Sequence, residues 1–293
     1  MSQSSSYYLP EHSHWPLFGS AALFTIMTGA YNWLHDAASG PFIFALGIGL
    51  LIYMMFCWFG QVVQENQSGL LKSPQVDRSF RWGMFWFICT EVVFFGVFFS
   101  ALFYARVLSV PWLGGEGAGA LTHFILWPHF DATWPLLKNP APSQFPSIKS
   151  VMHTWEIPAL NTLILLTSGL TITWAHWGII KKQYYHAIAG QCLTILLGIT
   201  FLVMQVIEYG EAYADHALKL SSGIYGSTFF MLTGFHGFHV TIGTTMLICI
   251  LYRLLKGHFT PKHHFAFEAV AWYWHFVDVV WLCLFAAIYV WGS

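Results

Sequence analysis

Charge is the scarcest property of this chain. Asp, Glu, Lys and Arg make up 9% of its 293 residues, against roughly 25% in a soluble domain, so it cannot keep itself dissolved in water. The net charge is -1 and no basic run occurs, which argues against nucleic-acid binding or an acidic partner surface. The five cysteines, Cys57, Cys89, Cys192, Cys249 and Cys283, stand singly with no CxxC, so neither a disulfide framework nor a zinc site is expected. Residues 1–14 lack Lys and Arg, and the first hydrophobic stretch is followed by no small-residue cleavage site. That stretch is therefore read as a retained span rather than a secretory signal. No internal repeat is visible, which argues against an inverted-repeat transporter.

What the chain has instead is long uncharged runs. No charged residue lies between Glu11 and Asp36, Asp36 and Glu65, Glu156 and Lys181, Lys182 and Glu208, or Lys219 and Arg253. Two more runs carry an acid inside: Arg81 to Arg106 around Glu91, and Glu268 to the C-terminus around Asp278. At about 1.5 Å per residue each can cross a hydrocarbon core of about 30 Å. Seven transmembrane helices are predicted, near 15–34, 41–65, 80–106, 157–180, 187–212, 222–255 and 267–291, making an all-α polytopic membrane protein. The connection at 109–155, rich in Trp, Gly and Pro (Pro111, Pro128, Pro135, Pro140, Pro142, Pro146), reads as an ordered external segment. Lys and Arg set the orientation. With the N-terminus cytoplasmic, the inner connections hold Lys72, Arg78, Arg81, Lys181, Lys182, Arg253, Lys256 and Lys262, and the outer ones only Arg106, Lys138, Lys149 and Lys219.

The polar residues inside these spans are the place to look for function. Glu91 sits mid-helix with Phe87, Ile88, Phe94, Phe95 and Phe98 on its own face, so it offers itself no cation. Such an acid either finds a partner on another helix or stays protonated, and the protonated state is the one expected here. His236 and His239, in Gly234-Phe235-His236-Gly237-Phe238-His239, share a helix face at a spacing that could present two imidazoles to one metal. With no Glu-x-x-His in a neighbouring span, they read as structural histidines that hydrogen-bond across helices. His275 and Asp278 have the same spacing and are expected to satisfy each other. Glu208 and Glu211 read as a solvated helix end. His258, His263 and His264 form an interfacial cluster beside Arg253, Lys256 and Lys262, suited to an anionic lipid headgroup.

Together these blocks resemble subunit III of the cytochrome c oxidase family of haem-copper oxidases, over essentially the whole length. The resemblance runs from His14-Trp15-Pro16-Leu17 through Arg81-Trp82-Gly83-Met84, Glu91-Val92-Val93-Phe94-Phe95, Leu160-Asn161-Thr162 and Thr173-Trp174-Ala175-His176. It continues through Tyr225-Gly226-Ser227-Thr228-Phe229-Phe230, Thr233-Gly234-Phe235-His236-Gly237 and His263-His264-Phe265, ending in Trp272-Tyr273-Trp274-His275-Phe276-Val277-Asp278-Val279-Val280-Trp281.

The resemblance implies a single membrane domain over 1–293, with a helix pair (15–65) and a five-helix bundle (80–291) separated by a cleft that holds phospholipid. It implies no catalytic residue, haem, copper or other metal in this chain; haem and copper belong to subunits I and II, its partners, and cytochrome c serves the whole complex. The implied role is accessory: supporting proton uptake and keeping the enzyme active over many turnovers. The family's carbodiimide-reactive acid matches Glu91, the acid ending the second helix matches Glu65, and the lipid-binding arginine matches Arg253, with Lys256 and His258 nearby and Trp58 on the cleft side. Where relatives often carry an Arg-Asp pair, this chain reads Trp58-Phe59-Gly60-Gln61, which puts headgroup contacts from that helix in doubt. The long 109–155 loop favours a bacterial inner membrane, with the C-terminus periplasmic, over a mitochondrial one. A quinol-oxidase subunit III would lack the first helix pair. A channel or transporter would show repeats or broken helices. A membrane cytochrome would use His236 or His239 as a haem ligand.

The orientation has a direct check. Single cysteines placed at 66–80, 181–186 or 256–266 in a Cys-free background should resist an impermeant thiol reagent in intact cells, while one near Ser143 should react. Labelling near Lys181 but not near Ser143 would invert the topology.

Overall fold

A computed structural model of the chain describes residues 12–71, 73–141 and 143–292; Glu11, Lys72 and Pro142, used in the readings above, lie outside them. Among the described residues there are eight helices and no strand. They are α1 Trp15–Leu34, α2 Gly40–Ser68, α3 Pro74–Leu113, the short α4 Ala120–Leu126, α5 Ile157–Ile180, α6 Tyr184–Ala214, α7 Ile224–Leu255 and α8 Phe265–Val290. Six of these are both long and apolar enough to cross a membrane. The seventh expected span, α1, has 20 residues and the length to cross, but Ser20, Thr25, Thr28 and Asn32 make it less apolar.

The helix ends differ from the sequence reading mainly in α3. It starts at Pro74, six residues early, because Ser73 Oγ accepts the Val76 N–H at 3.2 Å and Asp77 pairs with Arg81 at 2.8 Å. At its far end it runs past Arg106 through a π turn, Ala105–Ser109, to Leu113.

The chain divides into two compact units, Met1–Trp82 and Gly83–Ser293. In the first, α1 and α2 meet through small residues. A Cβ on Gly29 would lie 2.3 Å from Phe44 N, one on Gly40 2.3 Å from Trp33 N, and one on Gly47 2.6 Å from Ile26 N. Close backbone approach of this kind is how helices associate in lipid, where burial of apolar surface gives little net drive. Outside this seam the pair exposes Leu17, Phe24, Phe42 and Phe56, side chains suited to acyl chains.

The second unit is built around Trp274 of α8. Its indole Nε1–H donates to Ser168 Oγ of α5 at 2.8 Å, and its ring is seated against Gly198 of α6 and Gly243 of α7, where added Cβ atoms would come within 2.8 and 3.0 Å. One side chain thus touches all three neighbouring helices. One helical turn pair further along, Trp281 repeats the pattern, donating to Thr162 Oγ1 at 2.9 Å and meeting Phe201 edge-on at 4.8 Å. Both indoles are fully buried with their N–H groups satisfied, which the apolar surroundings demand.

The described residues of the 114–156 connection are tied to one end of this unit by hydrogen bonds. Thr154 Oγ1 donates to Tyr289 O at 2.7 Å, Asn139 Nδ2 to Ser222 O at 3.2 Å, and Lys149 N to His216 O at 2.9 Å. Arg106 stacks 3.7 Å above the Trp291 ring and donates to the Trp291 carbonyl.

Because nothing on Trp274 can yield, Gly198→Val should destabilise the protein by about 1–3 kcal/mol. Gly237→Ala, where a Cβ meets nothing within 4 Å, should change stability by less than about 1 kcal/mol. Thermal unfolding of the two purified variants checks the contrast; equal midpoints would remove Trp274 from its central place.

Candidate functional site

Glu91 lies near the middle of α3, whose backbone is held off the bundle by large rings. Phe94 and Phe98 each pack 5.1 Å from Phe235 of α7, Phe87 stacks on Tyr273 of α8 at 6.1 Å, and Phe95 lies 6.2 Å from Phe276. Among these rings Glu91 Oε2 meets His239 Nε2 at 2.8 Å, between residues 148 apart in sequence. The side chains are 21% and 10% exposed, so water competes little for either.

The protons of this contact can be counted. His239 Nδ1 lies 2.6 Å from the Phe235 carbonyl, which only accepts, so Nδ1 carries a hydrogen and donates. In a neutral ring Nε2 would then be bare. Two acceptors do not sit 2.8 Å apart, so one proton lies between Nε2 and Oε2. Whether that proton resides on the acid or on the ring, the pair as a whole is neutral, which suits a membrane interior. Phe95 edge-on at 4.9 Å, Phe94 at 5.7 Å and Tyr273 stacked at 6.5 Å fix the imidazole plane.

His236, one turn earlier, does not share this point. It is fully buried, and its Nε2–H donates to Val277 O of α8 at 3.2 Å while its ring lies 5.2 Å from Trp281. The two imidazoles therefore serve different helices and converge on no common ligand position.

The expected mutual satisfaction of His275 and Asp278 is corrected by the geometry. Their closest atoms are 3.9 Å apart, beyond hydrogen-bond range, because His275 Nε2 is turned to Thr173 Oγ1 at 3.3 Å. The reading of Glu208 as a solvated helix end also fails. Glu208 is fully buried, receiving the Tyr289 hydroxyl at 2.6 Å and Gln205 Nε2 at 3.2 Å, because the 143–154 segment and the end of α8 fold over that end of α6.

In the first unit Gln61, at the position of the departure noted above, is fully engaged. It accepts Trp15 Nε1–H at 2.7 Å and donates to Glu65 Oε1 at 2.9 Å, tying α1 to the end of α2. Trp58 is half-exposed and stacked on Phe59. In the last turn of α7 Arg253 lies over the Phe259 ring at 4.9 Å, and just past that turn Lys256 lies over Tyr252 at 5.6 Å. Partial burial, then the charges of Arg253 and Lys256, hold the His258 imidazole below its usual pKa. A cluster of this kind favours an anion.

One group escaped the sequence reading. His176 of α5 with His264 and Glu268 at the start of α8 bring three possible metal-ligand atoms within 4.8 Å of one another. His264 Nδ1–H is held by Thr260 O at 3.0 Å, which turns its Nε2 toward Glu268 Oε1 at 3.2 Å. The only signal was the i, i+4 spacing of His264 and Glu268; nothing local ties them to His176, nearly ninety residues earlier.

Comparison with known proteins joins these features to a family. A family model described as cytochrome c oxidase subunit III matches residues 5–120 and 120–293. Among curated relatives named cytochrome c oxidase subunit 3, that of Struthio camelus is 40% identical over 291 residues, covering 99% of both chains. That of Marchantia polymorpha is 41% identical over 293 residues, covering 100% of this chain and 99% of its own, and that of Rattus norvegicus is 41% identical over 291. With a family model matched along nearly its whole length and relatives of this identity from end to end, the chain belongs to the cytochrome c oxidase subunit III family.

Proposed function

We propose that this chain is an accessory core subunit of a proton-pumping cytochrome c oxidase, assembled with the subunits I and II that carry haem and copper, and that it has no active site of its own. The observation that carries this reading is the end-to-end similarity to proteins named subunit 3 of that oxidase. The geometry supports it in a second way: His239 has both ring nitrogens bonded, to Glu91 and to Phe235 O, and His236 Nε2 makes a cross-helix contact to Val277 O. Loop length and the Lys/Arg distribution favour a bacterial inner membrane with a cytoplasmic N-terminus.

Within that role Glu91 and His239 form a neutral, proton-holding pair that fastens α3 to the bundle. Such a pair can move its proton between Oε2 and Nε2 without creating net charge in the membrane, so it tolerates protonation changes nearby without forcing α3 away. That supports the surroundings of a proton-uptake path in the neighbouring subunit and is not itself a step of oxygen reduction. The cations Arg253 and Lys256, with His258, suit an anionic phospholipid headgroup. Trp58 and Glu65 are proposed to contribute lipid contacts from α2, with Glu65 positioned by Gln61.

The tagged chain should co-purify with haem- and copper-containing subunits. In that complex Glu91→Ala should leave initial turnover within a few-fold of wild type, a barrier change of about 1 kcal/mol or less, while shortening the active lifetime during sustained turnover. Initial rate, rate decay and subunit content measured on one sample check this. Loss of nearly all initial activity with assembly intact would make Glu91 part of an essential proton path.

A further inference from the structure

Among the described residues, one group of His, Cys, Asp and Glu side chains brings three ligand atoms within 4.8 Å of one another: His176, His264 and Glu268. It lies at the end of the second unit that carries Lys181, Lys182, Arg253 and Lys256. His176 is four residues, about 6 Å, short of Ile180, the last residue of α5, and His264 immediately precedes Phe265, the first of α8. The side chains of His176, His264 and Glu268 are 24%, 10% and 16% exposed. They are screened from bulk water yet open to an ion arriving from the aqueous phase.

His264 Nδ1 lies 3.0 Å from the Thr260 carbonyl, which only accepts, so Nδ1 carries the ring hydrogen. In a neutral ring Nε2 is then a bare lone pair, and it faces Glu268 Oε1 at 3.2 Å. Two acceptors so placed need a cation between them. A shared proton can serve two atoms, as it does for Glu91 and His239, but here a third ligand atom turns to the same oxygen. His176 Nε2 lies 3.7 Å from Glu268 Oε1, too far for a hydrogen bond. A proton joins two atoms; a metal ion joins three. Ligand atoms bound at about 2.0–2.1 Å in a tetrahedron stand about 3.3–3.4 Å apart, and the separations of 3.2 and 3.7 Å bracket that spacing. Both rings are held from behind, His264 by the Thr260 carbonyl and His176 by Phe267, stacked on it at 5.7 Å.

Two neutral imidazoles and one carboxylate are the donor set of zinc sites that keep a fourth position for water. Magnesium and calcium, which take oxygen ligands, do not suit it. We infer that His176, His264 and Glu268 form a binding site for an exchangeable divalent ion of the zinc class, which ties the end of α5 to the start of α8 and so fixes the connection between α7 and α8. The resemblance to the family implied no metal in this chain, and the geometry departs from that at this one point. The inference stands on the chain's own residues and needs neither the haem nor the copper of other subunits.

Equilibrium dialysis of the purified, chelator-treated complex against zinc ion alone, followed by elemental analysis, tests the site. The wild type should bind one zinc more per complex than Glu268→Gln or His176→Leu, each of which should weaken that site by about tenfold or more. His186→Leu, which removes an exposed histidine at the same end of the bundle, should leave zinc binding unchanged. Equal binding by the wild type and both site variants would overturn the proposal. So would an equal loss in His186→Leu, which would mark the ions as adventitious surface binding, and so would displacement of the zinc by an equal concentration of magnesium. Should His176→Leu fail to assemble, zinc should still raise the thermal unfolding midpoint of the wild-type complex and not that of Glu268→Gln, with equal shifts in the two counting against the site.

Discussion

A membrane interior offers no water to unpaired polar atoms, and the bond between Glu91 and His239 is where that constraint shapes the structure most. It supplies a proton-sharing partner for an acid that its own helix surrounds with Phe and Ile, and it does so across 148 residues of sequence. The rings of Phe94, Phe95 and Phe98 keep the α3 backbone at a distance from α7 and α8, so the second unit holds this helix by side chains rather than by backbone approach. Rings alone would specify position loosely. A single hydrogen bond among them fixes the rotation of α3 and the tautomer of His239 together, because Phe235 O claims the other ring nitrogen.

Elsewhere several polar side chains meet the same constraint by facing a counterpart on another helix. Trp274 to Ser168, Trp281 to Thr162, Thr171 to Thr194 and Tyr209 to Thr233 are all such pairs, and glycines at 198 and 243 let the indole of Trp274 reach its seat. The Tyr289–Glu208–Gln205 cluster extends the network to the end where Thr154 anchors the long connection. Tight packing around fixed hydrogen bonds makes a rigid platform, which suits the accessory role proposed above.

Much of this was legible in the sequence because charge is so costly in lipid. The uncharged runs located the long helices to within a few residues, apart from α3, whose early start depends on Ser73 and Asp77 in a polar stretch that hydropathy ignores. Glu91 stood out for the same reason, and its surroundings required either a protonated acid or a partner on another helix. Which helix could not be read, since His239 is distant in sequence and a spacing that predicted cross-helix hydrogen bonds for His236 and His239 did not name their partners. Glu208 was misread because a helix end near Glu211 and Asp215 looks solvated until a loop covers it. His275 and Asp278 looked satisfied because spacing gives proximity but not rotamer, and Thr173 had already taken the ring.

The account depends on Glu91 and His239 acting as one unit, and a double-mutant cycle on thermal inactivation of the purified complex measures that directly. Glu91→Ala, His239→Ala and the double variant should show strong non-additivity, with a coupling of about 1–3 kcal/mol and the double variant no less stable than the worse single one. Effects that add within about 0.5 kcal/mol would mean the two side chains do not depend on each other, and the proton-sharing bond would lose its place at the centre of the structure.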